Sequence, residues 1–499
     1  MYASIASATL TGIEAAAVQV EVDVAPGLPG IYLSGLPDTA VREARERVKA
    51  ALRNSGLPYP QRRTVVNLAP ADLRKEGPAL DLPIALALLQ AQSVLPPACL
   101  ADSLVIGELG LNGELRPVRG ALSCALLARA SGLRRLLLPA ENFHEAALAD
   151  GLEVVAFHSL KHATAWLQGR ADPAAVEQPP GAEVGSLPDL ADVRGQLPAR
   201  RALEIAAAGG HNLLLSGAPG TGKSLLAARL PGILPPLTAA EALSVTRIHS
   251  VAGLEPIGLL RQPPFRAPHH SISPGALLGG RQPGEISLAH HGVLFLDEVS
   301  EFPQRVLDLL RQPLESGTIS VQTQRFSQVL PARFQLVAAR NLCPCGYSGV
   351  SGRECRCSAG QLQAYLRRLS GPLLDRIDLH VSTKTFRAAE LPRLPAGEPS
   401  RSVRRRVVAA RSLALKRQGC PNALLAGELL RRHCRPDRAG TAFLDSMLPR
   451  ISLSARGYDR MLRSARTIAD LAGSTRLGRE HLSEALGYLG QAADLPLAS

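Results

Sequence analysis

Residues 211–232 read HNLLLSGAPGTGKSLLAARLPG, and the fold turns on the eight residues GAPGTGKS at 217–224. Their spacing is G-x-x-x-x-G-K-[ST], and the flanks predict a phosphate-binding loop. An apolar strand over 212–215 leads in and a helix over 224–230 leads out, terminated by Pro231 and Gly232. Gly217, Gly220 and Gly222 let a loop completed by Ala218, Pro219 and Thr221 turn tightly enough to aim several N–H groups at one anion. The helix that follows adds the positive end of its dipole. Lys223 is then set to reach the β- and γ-phosphates of ATP, and Ser224 to offer its hydroxyl to Mg²⁺. A chance glycine-rich turn would not need this order of strand, loop and helix.

Downstream, GVLFLDE at 292–298 is an unbroken apolar run ending in two acids, the pattern of a strand buried on both faces of a parallel sheet. Asp297 falls at its carboxyl end, where ligands collect, and can hold Mg²⁺; Glu298 can orient and polarise an attacking water. Alone, the run reads equally as a core strand capped by acids. With a P-loop roughly 75 residues upstream it fits one α/β domain. A third strand, FQLVAAR at 334–340, ends at Asn341, whose amide can sense the γ-phosphate or merely cap a turn.

A chain of 499 residues exceeds one core and suggests roughly three domains. The composition, 46% hydrophobic and 20% charged, supports buried sheets, while no apolar run reaches the ~20 residues of a membrane span. The start, MYASIASATLTGIEAAAVQVEV, lacks a basic segment followed by a long apolar one, so a cytoplasmic protein is expected. The net charge of +13 is uneven: residues 401–440 carry 11 Arg and Lys against 2 Asp and Glu, which suits a polyanion or a solvated helical face. With aromatic residues at only 3%, base stacking is a poor grip, so DNA would be held by phosphate contacts and nearly without sequence preference.

The Pro-, Gly- and Ala-rich stretch at 171–190 separates residues 1–170 from the P-loop module at 191–385, and a second boundary near 385–400 opens a final part, 386–499. Before the first linker, Val18, Val20 and Val22 alternate as in a strand, and residues 39–54 place Val41, Ala44, Val48 and Leu52 on one helical face, an α+β pattern. After the second boundary the spacing at 403–418 and 453–472 is helical, so an all-α end is expected. The cysteines Cys343, Cys345, Cys355 and Cys357 form C-x-C-x₉-C-x-C, which can satisfy a tetrahedral structural Zn²⁺ or stay as free reduced thiols; the usual C-x₂-C spacing is missing. Cys99, Cys124, Cys420 and Cys434 are scattered and read as small core residues.

Longer blocks carry a resemblance: FRAPHHSISPGALLGG at 265–280, PGEISLAHHGVLFLDEVSEF at 283–302, CPCGY at 343–347, LSGPLLDRIDLHV at 369–381 and LSARGYDRMLRSARTIADL at 453–471. With the P-loop, they resemble the AAA+ ATPases of the Mg-chelatase-like group, and closely its YifB/ComM family. The chain departs from the family pattern at RNLCPC, 340–345, where a methionine and a proline are expected around the asparagine; Asn341 is kept. The resemblance implies an arginine finger at Arg376, inserted into a neighbouring subunit's ATP site, a second sensor at Arg456 on a helical lid, and a ring, as a homo-hexamer. An ordinary ion pair of Arg376 with Asp375 or Asp378 is the competing account. It also points the hairpin expected at 317–330 into the ring's pore, with Arg325 near its turn and Arg281, in an insertion at 266–281, as contacts to DNA phosphate; a solvated tip is the alternative for Arg325.

The N-terminal part resembles the proteolytic domain of Lon through RKEGPALDLPIALALL at 74–89 and GELGLNGELRPVRGALSCALLA at 107–128. The implied architecture is an α+β Lon-protease-like domain of the ribosomal S5 domain 2 type (also ChlI-like), an α/β P-loop AAA+ core and an all-α C-terminal lid. Where Lon-type proteases carry the Ser and Lys of their dyad, this chain has Ala79 and Leu122, which removes proteolysis by that mechanism. Of the remaining classes, the resemblance implies a ring motor on single-stranded or branched DNA, a branch-migration helicase serving integration of transforming DNA, with a chelatase motor subunit as the alternative; the basic charge suits DNA better than a porphyrin-handling partner.

Overall fold

The structure is a computed structural model that describes residues 1–177, 187–254, 258–322, 327–348, 354–386, 389–390, 393–451 and 453–489. The N-terminal part is built on a mixed sheet. Its strands are β1 (Tyr2–Thr11), β2 (Glu14–Ala25), β3 (Gly30–Ser34), β4 (Arg63–Ala69), β5 (Ser103–Val105), β8 (Arg135–Pro139) and β9 (Glu153–Phe157), in the order β3-β4-β2-β1-β5-β8-β9. A small ribbon of β6 (Glu108–Leu109) and β7 (Leu115–Arg116) lies outside that sheet. β1 and β2 pair antiparallel, and Val18, Val20, Val22 and Val24 of β2 are buried while Glu21 and Asp23 are not, the alternation expected of a half-covered sheet. Helix Thr39–Asn54 buries Val41, Ala44, Val48, Ala51 and Leu52, and Asp38 caps it by accepting from Val41 N at 2.8 Å.

The P-loop module is a parallel sheet in the order β11-β12-β15-β10-β16: β10 (Leu213–Ser216), β11 (Phe265–Arg266), β12 (Val293–Leu296), β15 (Gln335–Arg340) and β16 (Leu379–Ser382). β10 and β12 are buried along their whole length, as a sheet covered on both faces requires. Two expectations change. The helix after the loop ends early, at Lys223–Ala227, and Pro231 and Gly232 sit inside a second short helix, Leu230–Ile233. A proline without its N–H is tolerated in a first helical turn, so Pro231 begins a helix rather than ending one. Phe265 and Arg266 belong to an edge strand beside β12, and Arg266 binds Glu285 through two 2.7 Å contacts; the insertion proper is the helix Pro274–Leu278 and its flanks. The hairpin forms as β13 (Thr318–Gln322) against β14 (Ser327–Pro331).

The C-terminal part is helical: Ser400–Gln418, Gly427–His433, Arg438–Met447, Ala455–Leu471 and Arg479–Leu486. Its core is continuous with that of the P-loop module, because Val407, Met461, Ile468 and Leu482 share one cluster with Leu203, Leu213 and Leu379. Several arginines of the basic block are engaged within the chain, Arg406 while still exposed. Arg406 pairs with Glu204 and Glu398, Arg411 donates to the Ala207 and Ala208 carbonyls, and Arg417 grips Asp470 at 2.7 and 2.9 Å. Arg401, Arg405, Lys416, Arg431, Arg432, Arg435 and Arg438 remain exposed, so only part of the run is available to a polyanion.

The linker is docked at both ends. Ala174 N donates to Ala156 O at 2.9 Å, and Leu190, buried, donates to Ser400 Oγ at 2.7 Å. Among the described residues, no helix is long and apolar enough to cross a membrane.

Candidate active site

Three parallel strands end together. β10 runs into the P-loop, β12 into Asp297 and β15 into Asn341, which gathers the loop, the acids and the asparagine at the carboxyl edge of one sheet. Lys223 Nζ, buried, donates to Gly217 O and Ala218 O, both at 2.9 Å, and to Asn341 Oδ1 at 3.1 Å. Burial pushes its ammonium below the ordinary lysine value, and Asp297 and Glu298 oppose the shift. Ser224 Oγ donates to Asp297 Oδ2 at 2.5 Å, so the hydroxyl and carboxylate suited to a Mg²⁺ ion are adjacent. Glu298, next in the chain, is exposed and has a left-handed backbone with φ of 48°, uncommon for a residue with a side chain and frequent at functional sites. Gly220 and Gly222 adopt φ of 78° and 87°, which turns the loop's N–H groups inward before the helix begins.

Two residues the sequence did not single out brace the loop. Gln196 donates to Thr221 O at 3.0 Å and Lys384 O at 2.7 Å, and Thr383 Oγ1 lies 2.7 Å from Thr221 Oγ1. Nothing local marks them, since Gln196 reaches the loop across 25 residues and Lys384 across 188, and Thr383 meets Thr221 across 162.

Arg376 and Arg456 lie elsewhere. They line a cleft of about 390 Å³ with Arg333, Arg460, Arg463 and Glu315, and the cleft also contains Asn212, Phe334 and Asp378, the residues before β10, β15 and β16 or adjoining them. That is the amino edge of the sheet, and a strand of four residues separates it from the P-loop edge by roughly 13 Å. Arg376 pairs with Glu315, not with Asp375 or Asp378, and donates to Pro372 O at 2.5 Å. The Nε atoms of Arg376 and Arg460 are buried without a hydrogen-bond partner among the described residues. Arg456, Arg460 and Arg463 fall at i, i+4 and i+7 on helix Ala455–Leu471, a periodicity that makes the arginine face legible in the sequence once the helix is known.

Cys343, Cys345, Cys355 and Cys357 converge, with all four Sγ atoms within 4.8 Å of one another. The Cys343–Gly346 turn forms despite the departure from the family pattern, with Gly346 at φ of 80°. Cys124 and Cys434 are buried, whereas Cys99 and Cys420 are half-buried. Arg281 lies 3.5 Å from Glu76 of the N-terminal part and lines a cavity of about 560 Å³ between the two modules, so its guanidinium is engaged within the chain. Arg325 lies outside the described residues. Ala79 packs against the apolar cluster that contains Leu122, so both positions matching a protease dyad carry only hydrocarbon.

The family model for magnesium chelatase subunit ChlI matches residues 189–391, a second for subunit ChlI matches 20–142, and that for the ChlI C-terminal part matches 397–489. The uncharacterized protein YifB of Escherichia coli K12 is 45% identical over 485 residues, covering 96% of this chain and 95% of its own. Competence protein ComM of Haemophilus influenzae is 43% identical over 487 residues, with the same coverage. Lon protease 2 of Thermus thermophilus is 31% identical over 138 residues, 26% of this chain and 17% of its own length. Full-length identity at this level, three consecutive ChlI models and a P-loop sheet with a helical end fix the relationship: the chain belongs to the YifB/ComM family of Mg-chelatase-like AAA+ proteins.

Proposed function

We propose that the protein is an ATP-hydrolysing ring motor acting on DNA, a cytoplasmic homo-hexameric branch-migration helicase that supports integration of incoming DNA. The observation that carries this reading is the separation of the two charged sites. Arg376 and Arg456 sit on the amino edge of the sheet while the P-loop sits on the carboxyl edge, so they cannot reach their own chain's nucleotide. A guanidinium cluster with unpaired donors needs an anion, and a neighbour's ATP supplies one if chains pack edge to edge in a closed ring.

In that arrangement the P-loop N–H groups take the phosphates of ATP. Lys223 exchanges its carbonyl acceptors for phosphate oxygens, and Ser224 and Asp297 are the side chains that hold Mg²⁺. A Mg²⁺ ion held there would supply neutralising charge to the phosphates. Glu298 accepts a proton from the attacking water, Asn341 reports the γ-phosphate to β15, and Arg376 with Arg456 stabilises the charge that builds on the neighbour's γ-oxygens. DNA as the polymer acted upon is supported by the relation to a competence protein and by the exposed arginines of the lid.

Strand displacement by purified protein with ATP on forked, three-way and four-way DNA junctions tests the reading, run beside the Glu298→Gln variant. Displacement by the wild type alone is expected. No displacement on any junction, or equal displacement by the variant, overturns it.

A further inference from the structure

The four cysteines are placed as ligands of a single ion. The Sγ atoms of Cys343 and Cys345 are 3.4 Å apart, those of Cys345 and Cys355 3.5 Å, and those of Cys355 and Cys343 3.6 Å. A disulfide would bring two of them to about 2.05 Å. Four thiolates around one zinc at about 2.3 Å stand about 3.8 Å apart along each tetrahedral edge, close to the spacings observed. An all-sulfur set selects Zn²⁺ or iron, and thiolates this near one another fit one ion rather than the spread ligands of a multi-iron cluster. Ser348 N donates to Cys343 Sγ at 3.2 Å, an outer contact that orients a ligand sulfur.

The position of the cluster matters more than its existence. Cys343 follows Asn341 by two residues, at the end of the strand whose Arg340 carbonyl accepts from Gly217 N at 3.2 Å and whose Arg340 Nε donates to Ser216 Oγ at 3.0 Å. The turn between Cys343 and Cys345 continues into Gly346, whose backbone lies against the P-loop: a Cβ built there would stand 2.6 Å from Cγ of Pro219. On its other side, Cys357 is followed at once by Ser358, the N-cap of helix Ala359–Arg367, which accepts from Gln361 N at 3.2 Å. The cluster therefore ties the sensor strand, the P-loop and that helix at one point.

We propose that Cys343, Cys345, Cys355 and Cys357 bind one Zn²⁺ per chain and that this metal-held turn forms a wall of the nucleotide pocket, so that ATP affinity depends on zinc occupancy. The proposal rests on the P-loop's binding ATP, and not on the protein's acting on DNA. Without the ion, the turn that bears Gly346 is free to leave Pro219, and the end of β15 loses the anchor that holds Asn341 against Lys223.

The test uses full-length, untagged protein without DNA. Metal content is measured by inductively coupled plasma emission, and the affinity for a fluorescent ATP analogue is measured with excess Mg²⁺ before stripping with 1,10-phenanthroline, after it, and after zinc is restored. Near one equivalent of zinc and at least a tenfold loss of nucleotide affinity on stripping, reversed by zinc and not by further magnesium, is the expected result. A Cys355→Ser/Cys357→Ser variant should hold less than half an equivalent of zinc and bind the analogue as weakly as stripped protein. Gly346→Ala keeps all four cysteines, should keep its zinc, and should still weaken the analogue about tenfold, which guards against a cysteine variant that fails to fold. Less than half an equivalent of zinc in the wild type, or iron in its place, overturns the metal assignment. Full zinc with unchanged affinity on stripping overturns the coupling. Failure of the untreated, zinc-loaded protein to bind the analogue at all overturns the nucleotide-pocket reading and the coupling with it, while failure on DNA junctions alone touches neither.

Discussion

The Lys223 ammonium donates to two P-loop carbonyls and to Asn341 Oδ1, acceptors that a triphosphate would outbid with full negative charge. Lys223→Ala deletes that charge and leaves the amide of Asn341 without its donor. ATP turnover should fall by roughly 10²-fold or more, together with affinity for a fluorescent ATP analogue. Glu298→Gln is different in kind. The amide keeps the shape and the left-handed backbone of the glutamate, so the strain at φ of 48° and the fold are unchanged, yet it cannot accept a proton. Turnover should be lost while nucleotide affinity stays within about twofold of the wild type. If Glu298→Gln hydrolyses ATP normally, the base is another residue. Both positions were readable in sequence because a P-loop and an acid-ended buried strand are local patterns. Gln196 and Thr383 were not, because a brace that joins residues across the fold leaves no mark near either one.

At the scale of elements, the amino edge of the sheet is pinned to the lid by His211, just before β10. Its Nε2 lies 2.7 Å from Thr467 Oγ1 on helix Ala455–Leu471, and its Nδ1 lies 3.3 Å from Asp378 Oδ2, just before β16. Burial pushes the Asp378 carboxyl up, but His211, Arg463 and Arg460 outweigh it and hold the group below its ordinary value. A depressed folded-state value means that this carboxylate stabilises the fold above the unfolded value near pH 4, and that the contribution disappears as pH falls through the folded one. Asp378→Asn should therefore cost about 3 kcal/mol at neutral pH, read as a lower denaturation midpoint, and the gap to the wild type should close in strong acid. A gap that is the same at pH 3 and pH 7 would show that the carboxylate's charge is not what holds the edge. Strand identity was legible here because β10, β12 and β15 each contain an unbroken apolar run, Leu213–Leu215, Val293–Leu296 and Leu336–Ala339. The break after Ala227 lies four residues before Pro231, which has no N–H to give the Ala227 carbonyl; the hold of Asp189 O and Asp192 Oδ2 on Arg229 beside it is invisible to local periodicity.

At the scale of the whole molecule, Arg376 lies at the amino edge of the sheet and the P-loop at the carboxyl edge, and the proposal that neighbouring chains join the two can be tested without imaging a ring. Lys223→Ala chains cannot engage ATP but still offer Arg376; Arg376→Ala chains engage ATP but offer no finger. Alone, each should be nearly inactive, with the finger accounting for about 10³ to 10⁵ in rate. Mixed in equal amounts and allowed to exchange subunits, they restore an intact pocket wherever an Arg376→Ala chain receives the arginine of a Lys223→Ala neighbour. Random mixing makes about a quarter of the interfaces whole in a cyclic assembly, so the mixture should recover a substantial part of wild-type turnover, rising with total protein concentration. Glu315 makes the same point from the other side. It holds Arg376 within the single chain, and a neighbour's triphosphate has to displace that carboxylate before the guanidinium can act. If the mixture stays at the sum of its inactive parents while size-exclusion chromatography shows that the chains have co-assembled, the amino-edge arginines do not complete a neighbour's site. The cleft would then have to be a binding site for some other anion.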